Sequence, residues 1–278
     1  ARIGAAPAKR RRAGERPLSG IRVLDLTRII AGPVAGRTLA AHGADVMLVT
    51  SPKLPAIPVL VIDTGRGKLS AHIDLDTAEG RATLKALVSE ADVFIQGYRP
   101  GGLAARGFSP EELAAINPGI VACTLDAYGR AGPWSGRRGF DSLTQNANGL
   151  NVAEAEAAGQ ARPKELPAQA LDHAAGYVLA FGAMMALGRQ LGEGGSWHVR
   201  TSLAQMGEWL KGLGRVDGGL ARAEPTAADV APFLDETSSG FGRITQVRHA
   251  AQLSLTPAHW SRPTVPLGTH RPEWPAAA

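Results

Sequence analysis

The sequence predicts an α/β protein built on a parallel sheet covered by helices. From Leu18 onward, short runs of β-branched residues alternate with stretches of helical periodicity, which is the order typical of this class. The first unit is the clearest: residues 21–26 predict a strand, residues 34–42 a helix stopped by Gly43, and residues 45–50 a second strand. This is one βαβ unit, and it sets the fold class.

The same alternation continues to residue 125. It predicts a further apolar run at 59–62, a helix at 77–89 and strands at 92–96 and 120–125. Between the last two strands, Ser109 and Glu112 form a capping box around Pro110, which is placed at the first helical position. A short helix therefore begins at this point.

A long helix is predicted at residues 173–191, where large apolar side chains recur at helical spacing. A strand at 197–202 and a helix at 203–213 follow. After Gly214 the periodicity fades into Pro, Gly, Ala and Thr, which predicts an extended arm or a reduced small domain over residues 214–278. The main domain is expected over residues 18–213.

The net charge of +5 lies entirely in residues 1–17, whereas the rest of the chain is neutral. Such a short basic segment predicts a disordered, solvated tail; nucleic-acid binding is the alternative, which the neutral body does not favour. The one cysteine, Cys123, lies in an apolar strand and permits no intrachain disulfide, and no run of residues predicts a membrane span or signal peptide. We expect a cytoplasmic protein with no membrane partner.

Several kinds of active site are excluded by their missing motifs. The first strand is followed by TRIIAGPVAGR, which lacks the GxGxxG turn of a dinucleotide site, and residues 62–68 lack the first glycine of a phosphate loop. There is no GxSxG elbow, and the seven histidines never fall at metal-ligand spacing. Permanently bound metals, NAD and FAD are therefore not expected.

Five segments, in order, resemble the class III CoA-transferase family, which includes formyl-CoA and carnitine CoA-transferases and α-methylacyl-CoA racemases. They are PLSGIRVLDLTRIIAGPVAGRTLAAHGADV, GRGKLSAHIDLDTAEGRATLKAL, ADVFIQGYRPGGLAARGFSPEELAAINPGIV, YGRAGPWSGRRGFDSLTQNANG and LDHAAGYVLAFGAMMAL. The resemblance implies a Rossmann-like domain, a smaller domain and an interlocked homodimer or a partner chain. It implies no permanent cofactor, with acyl-CoA and a carboxylic acid as the substrates.

Asp172 matches the aspartate with which this family attacks the acyl-CoA thioester to form a covalent intermediate. Its spacing alone favours a helix N-cap, whereas the flanking resemblance favours the nucleophile, and the two roles are compatible. The family's CoA contacts map onto basic, small and aromatic residues of this chain, which as single residues are also ordinary surface groups: Arg28, Ala31, Lys68, Tyr98, Arg99, Gly101, Leu103 and Arg106.

Phe140 separates the subfamilies, because the racemases carry a proton-transferring histidine where GFD stands here. This favours transfer over a racemase-like activity. Three departures leave a non-catalytic CoA-binding or scaffold protein as a further alternative. The loop at 51–58 lacks the family's Gly-Asp…Arg element, Asp126 replaces a CoA-binding lysine, and no glycine-rich loop follows residue 203.

Overall fold

A seven-stranded sheet forms the centre of the computed structural model, which describes residues 1–9 and 14–276. Its strand order is β1-β7-β6-β5-β2-β3-β4. All neighbours pair in parallel except β1, which is antiparallel to β7. The strands are β1 (Arg2–Gly4), β2 (Arg22–Leu26), β3 (Asp45–Thr50), β4 (Lys68–His72), β5 (Val93–Gln96), β6 (Val121–Asp126) and β7 (Ser196–Ser202).

Helices cover both faces of this sheet. They are α1 (Ala31–Ala41), α2 (Pro58–Thr64), α3 (Ala78–Ser89), α4 (Pro110–Ile116), α5 (Asp141–Ala147), α6 (Leu150–Ala157), α7 (Ala170–Glu193), α8 (Leu203–Gly212) and α9 (Ala227–Val230). One apolar core lies between the sheet and the pair α1–α7, and a second lies under α3 and α4. The predicted fold class is confirmed, and so is the capping box at Ser109.

Three elements differ from the sequence expectation. The segment predicted as a disordered tail contributes the edge strand β1, and Lys9 forms an ion pair with Asp92 at 3.2 Å. Backbone pairing with β7, which composition cannot show, orders these residues; residues 10–13 lie outside the described part. The run at 59–62 is helical, begun by Pro58 at its first position. Strand β4 was missed because KLSAH is short and contains no β-branched residue and no Phe, Tyr or Trp, although Leu69 and Ala71 alternate with polar residues.

Residues 234–276 run back along the β4 edge of the sheet. A two-stranded hairpin, β8 (Leu234–Ser239) and β9 (Gly242–Val247), comes first. The chain then follows β4, where the His270 N–H donates to the Ser70 carbonyl at 2.8 Å and the Gly67 N–H donates to the Arg262 carbonyl at 2.9 Å. These bonds cover strand-edge groups that would otherwise be unpaired.

Helix α7 is the longest helix, at 24 residues, and begins three residues before the predicted start. By length and mean hydropathy (1.3) it is the one helix in the described chain that could cross a membrane, but half of that stretch is buried inside the protein. Gly176 allows the close approach of α1, since a Cβ there would lie 2.6 Å from the Ala31 carbonyl oxygen. Helix α7 is thus the central packing partner of α1.

Candidate active site

The loops that follow β2 and β5 meet at the carboxyl edge of the sheet. The chain runs outward from β2 through β3 to β4 and then returns to β5 on the other side of β2. Such a reversal opens a crevice outside the carboxyl ends of the strands, where open α/β sheets bind ligands. Two of the cavities at this edge between them contain most of the predicted site residues.

The larger cavity, which we name the strand-end pocket, has a volume of about 380 Å³. Its apolar wall comes from the ends of the strands and includes Leu26, Val49 and Ile73. Of the predicted CoA contacts, it is lined by Tyr98, Arg99, Leu103 and Arg106. Gly101 lies in the same loop with φ +84°, a conformation that favours glycine.

Ion pairs cross the strand-end pocket among its polar lining residues. Lys53 contacts Asp74 at 2.8 Å and Asp76 at 3.3 Å, and Arg106 contacts Asp76 at 2.8 Å. Hydrogen bonds from Arg106 and Lys53 lower the pKa of Asp76. Arg106, a predicted phosphate contact, is therefore held by a carboxylate in this structure.

The smaller cavity, which we name the Asp172 cleft, contains the predicted nucleophile. Arg28, Ile29 and Ala31 form one wall of it, and Phe140 and Asp126 lie on other parts of its lining. Ile29 has φ +74°, an uncommon conformation for a β-branched residue. Among the residues that the structure describes, no side chain caps helix α1, which begins at Ala31, so its positive end opens at this cleft.

Asp172 is only 7% exposed, and within the described residues its carboxylate forms no hydrogen bond or ion pair. Burial and, second, the nearby charge of Asp141 raise the pKa of Asp172 to about 7. Strongly shifted carboxyls of this kind are typical of active sites. Within the part of the chain that the structure describes, the charged form of this carboxyl therefore gains little from its protein surroundings.

Asp172 is not the N-cap that its spacing suggested. Helix α7 begins at Ala170, which makes Asp172 the third helical residue, and the side chain of the N-cap residue Gln169 makes no capping hydrogen bond within the described residues. The capping acceptor comes instead from Asp141, whose carboxylate accepts the Asp172 backbone N–H at 2.8 Å and the Gln145 side-chain amide. Asp141 is fully buried. The role of Asp141 was not predicted from the sequence, where the residue appears only as part of GFD. Its position directly after Phe140 was the signal that could have indicated it.

Two other expectations about charge need correction. Lys68 cannot contact CoA in this structure, because its side chain is fully buried and its ammonium pairs with Asp25 at 2.7 Å beneath helix α1. Asp126 does not leave an unbalanced negative charge at the cleft, since Arg130 pairs with it at 3.2 Å and the Gly129 N–H donates to it. Neither partner could be chosen from the sequence alone.

Among the described residues, a buried and unpaired aspartate lies in a cleft beside a larger pocket, at the carboxyl edge of a parallel sheet, which is the place where open α/β proteins bind ligands. The chain matches the model of CoA-transferase family III over residues 18–227 and belongs to this family.

Relatives agree with this assignment. The chain is 34% identical over 200 residues to acetyl-coenzyme A transferase nodX of Hypoxylon pulicicidum, an alignment covering 70% of this chain and 34% of the relative. It is 32% identical over 184 residues to the succinyl-CoA:glutarate CoA-transferase of Homo sapiens, covering 62% and 41%. The chain thus spans about a third to a half of the length of the curated relatives it matches.

Solved structures agree on the fold. The crystal structure of Rv3272 from Mycobacterium tuberculosis superposes with a TM-score of 0.80 at 23% identity and covers 92% of this chain and 98% of that one. A CAIB/BAIF family protein from Brucella suis gives 0.66 at 27% identity, covering 82% and 65%. The architecture is therefore that of the family over most of the described chain.

Proposed function

We propose that this chain is an acyl-CoA:carboxylate CoA-transferase in which Asp172 forms the covalent intermediate. The observation that carries the proposal is the buried, unpaired state of Asp172 in a cleft at the carboxyl edge of the sheet. The family match and the names of the relatives support transfer of CoA between carboxylic acids as the reaction type.

The reaction divides into four exchanges at carbonyl carbon. An Asp172 carboxylate oxygen attacks the acyl-CoA thioester, the C–S bond breaks, and an acyl-aspartyl anhydride and CoA thiolate result. The thiolate then attacks the aspartyl carbonyl, which releases the first carboxylate and leaves an aspartyl-CoA thioester. The acceptor carboxylate attacks this thioester to form a second anhydride and free the thiolate. Attack of the thiolate on the acceptor carbonyl regenerates Asp172, with no net change in protons.

The surroundings of Asp172 suit this sequence of steps. Its carboxylate is the nucleophile only when ionised, and a pKa of about 7 leaves a large ionised fraction at neutral pH. The uncapped N-terminus of α1 faces the same cleft through Ala31 and favours the negative charge that develops on the attacked carbonyl oxygen.

CoA itself is assigned to the strand-end pocket and the Asp172 cleft. The pocket volume of about 380 Å³ lies in the range of small-molecule sites, and its apolar wall next to Arg99 and Arg106 fits a base and phosphates. Arg28 and Ala31 line the cleft where the thioester would lie. Lys68 is removed from the predicted contacts, for the reason given above.

Racemase-like proton exchange is the alternative activity. It requires a second acid–base residue of the protein that exchanges a proton with the substrate. Phe140, which lines the Asp172 cleft, carries no exchangeable proton. The non-catalytic alternative requires that Asp172 never reacts. Of the three activities, CoA transfer is the one that uses both the Asp172 carboxylate and the strand-end pocket beside it.

We further propose a homodimer or a complex with a partner chain. Tyr177, Phe181 and Met185 lie on one side of α7, four residues apart, and each is about half exposed. Exposed apolar side chains in such a row are typical of a contact surface. The cytoplasmic location stays a prediction, and light scattering at micromolar concentration tests the oligomeric state.

Two experiments test the function. In a thermal-shift titration, CoA at 100 times its dissociation constant should stabilise the protein by about 2.7 kcal/mol, whereas NAD should give no shift. After incubation with a panel of acyl-CoA esters and hydroxylamine trapping, peptide mass spectrometry should find the modification on Asp172 and none in Asp172→Asn.

Asp126 is the internal control, because it lines the same cleft but is paired with Arg130. A modification confined to Asp126, or wild-type exchange by Asp172→Asn, would show that Asp172 is not the nucleophile. CoA binding without any adduct across the panel would favour the non-catalytic alternative.

A further inference from the structure

Lys68 and Asp25 form an ion pair in the interior of the domain, under helix α1. Lys68 is 1% exposed and Asp25 is 0% exposed. The Lys68 ammonium donates to Asp25 Oδ2 at 2.7 Å and to the Pro33 carbonyl at 2.8 Å. The Thr27 hydroxyl donates to the other oxygen of Asp25. The pair therefore joins strand β4, the end of strand β2 and the first turn of α1.

A pair of this kind is a poor source of stability. Removing two charges from water costs about as much as their attraction returns, and well-packed apolar side chains of similar volume often serve as well or better. The chain nevertheless makes room for it: a Cβ at Gly36 would overlap the Asp25 carboxylate. The contribution of the pair therefore lies in the local geometry that it imposes and not in stability.

That geometry concerns the turn between β2 and α1, residues 27–31. Thr27 is packed so closely against the helix that a Cβ at Gly32 would overlap its side chain. Within the turn, Ile29 is held at φ +74°. Such a backbone conformation persists only where the surrounding structure enforces it. The hydrogen bond from the Thr27 hydroxyl to Asp25 holds the start of this turn. The hydrogen bond from Lys68 to the Pro33 carbonyl holds the first helical turn that follows it.

The turn is also one wall of the reaction site. Arg28, Ile29 and Ala31 line the Asp172 cleft. The Ala31 carbonyl lies close enough to α7 that only glycine fits at position 176, one helical turn beyond Asp172. A displacement of the turn would therefore alter the distance between the N-terminus of α1 and the Asp172 carboxylate.

We propose that Lys68 and Asp25 are positioning residues for the transfer reaction, holding the 27–31 turn and the N-terminus of α1 against Asp172. This rests on the proposed function, because it assigns the pair a part in the same reaction. The pair touches no substrate, so its effect on the reaction is expressed through the turn.

The test is the double variant Asp25→Asn/Lys68→Met, which removes both charges while keeping the side-chain sizes close to the original. We expect it to fold, with a circular dichroism spectrum like that of the wild type. The kcat for CoA exchange should fall about 10- to 100-fold, the loss typical of small misplacement at a reacting centre. The Kd for CoA should change by less than about threefold, since phosphate and base contacts lie in the strand-end pocket.

Amide hydrogen exchange gives a second measurement that needs no activity. Peptides covering residues 27–33 should exchange about tenfold faster or more in the double variant, while those covering 180–193 in α7 keep wild-type rates. The matched control is Asp45→Asn/Arg262→Met, which removes an ion pair of 2.8 Å at the opposite end of the strands. It should change neither kcat nor the exchange of residues 27–33.

Wild-type kcat together with unchanged exchange at 27–33 in the double variant would overturn the proposal. If the double variant does not fold, Gly36→Ala keeps both charges but displaces the Asp25 carboxylate, and it should show the same loss of kcat and the same faster exchange. Gly188→Ala, at a position with open space around it, is its control. A wild-type chain without any CoA exchange would instead refute the proposed function, and the amide exchange would still decide whether the pair fixes the turn.

Discussion

Two buried aspartates near the carboxyl edge of the sheet have opposite surroundings. Asp25 is matched by a lysine, a threonine hydroxyl and the helix above it, so its charge is neutralised. Asp172 has no cation among the residues described, and its nearest acidic neighbour, Asp141, adds a like charge. The difference teaches that burial alone does not set the state of a carboxylate here: pairing compensates the charge of Asp25, whereas the charged form of Asp172 is disfavoured.

The largest expected effect comes from breaking the ion pair between Lys68 and Asp25. Lys68→Met leaves Asp25 buried without its cation and should reduce the free energy of unfolding by about 3–5 kcal/mol. Urea denaturation at pH 7 measures this. The double variant Asp25→Asn/Lys68→Met should regain most of the loss, and a single variant as stable as the wild type would contradict this prediction.

The second prediction has the opposite sign. Because Asp172 has a raised pKa, the folded protein holds this proton up to about pH 7, whereas the unfolded chain loses it near pH 4. The contribution of Asp172 to stability should therefore fall as pH rises from about 4 to 7 and stay reduced above that. Asp172→Asn removes the penalty and should be more stable than the wild type by about 2–4 kcal/mol at pH 8.

Urea denaturation of both proteins at pH 4.5 and pH 8 checks this, with the difference reduced to about 1 kcal/mol at the lower pH. Replacing Asp172 should not remove a helix cap, because Asp141 supplies the cap. A destabilised Asn variant at pH 8 would show that Asp172 is stabilised in its charged form.

The third prediction concerns the neighbour of Asp172. In the wild type, kcat/KM for CoA exchange should rise with pH and level off above about pH 8, as Asp172 ionises. Asp141→Asn keeps an oxygen to accept the Asp172 N–H but removes the like charge, so the rise should move to lower pH. At pH 6 the variant's rate, relative to its own plateau, should exceed that of the wild type by roughly two- to fivefold.

The pH profile, rather than a single rate, is the measurement. Asp126→Asn is the control, because its carboxylate is balanced by Arg130 and does not contribute to the pKa shift of Asp172. A profile that moves equally in both variants would contradict the role given to Asp141.

The smallest effect extends the comparison to exposed acids. In the strand-end pocket, Asp76 pairs with Lys53 and Arg106, the cations nearest to where CoA phosphates are proposed to bind. Asp76→Asn should free Arg106, while Lys53 keeps its pair with Asp74, and should tighten CoA binding by about two- to fivefold at low salt, with the gain reduced at 0.5 M salt. Isothermal titration with CoA measures this, and weaker binding would instead make Asp76 a direct CoA contact.

The sequence by itself determined the features that depend on neighbouring residues. Alternation of apolar runs predicted the parallel sheet and its helices, and Ser109, Pro110 and Glu112 marked a helix start that the structure reproduces. The resemblance placed Tyr98, Arg99, Leu103 and Arg106 together, and they do line one pocket. These signals are local, because a strand or a cap is specified within a few residues.

Tertiary structure decided which charges meet. Lys68 lies 43 residues from Asp25, and Asp141 lies 31 residues from Asp172, so nothing in their local sequence tells that one pair is opposite in charge and the other alike. The edge strand Arg2–Gly4 likewise became ordered only through β7, almost 200 residues away. The state of a buried carboxylate depends on the solvent it loses and the groups brought beside it, and both are set only when the sheet and helices have packed.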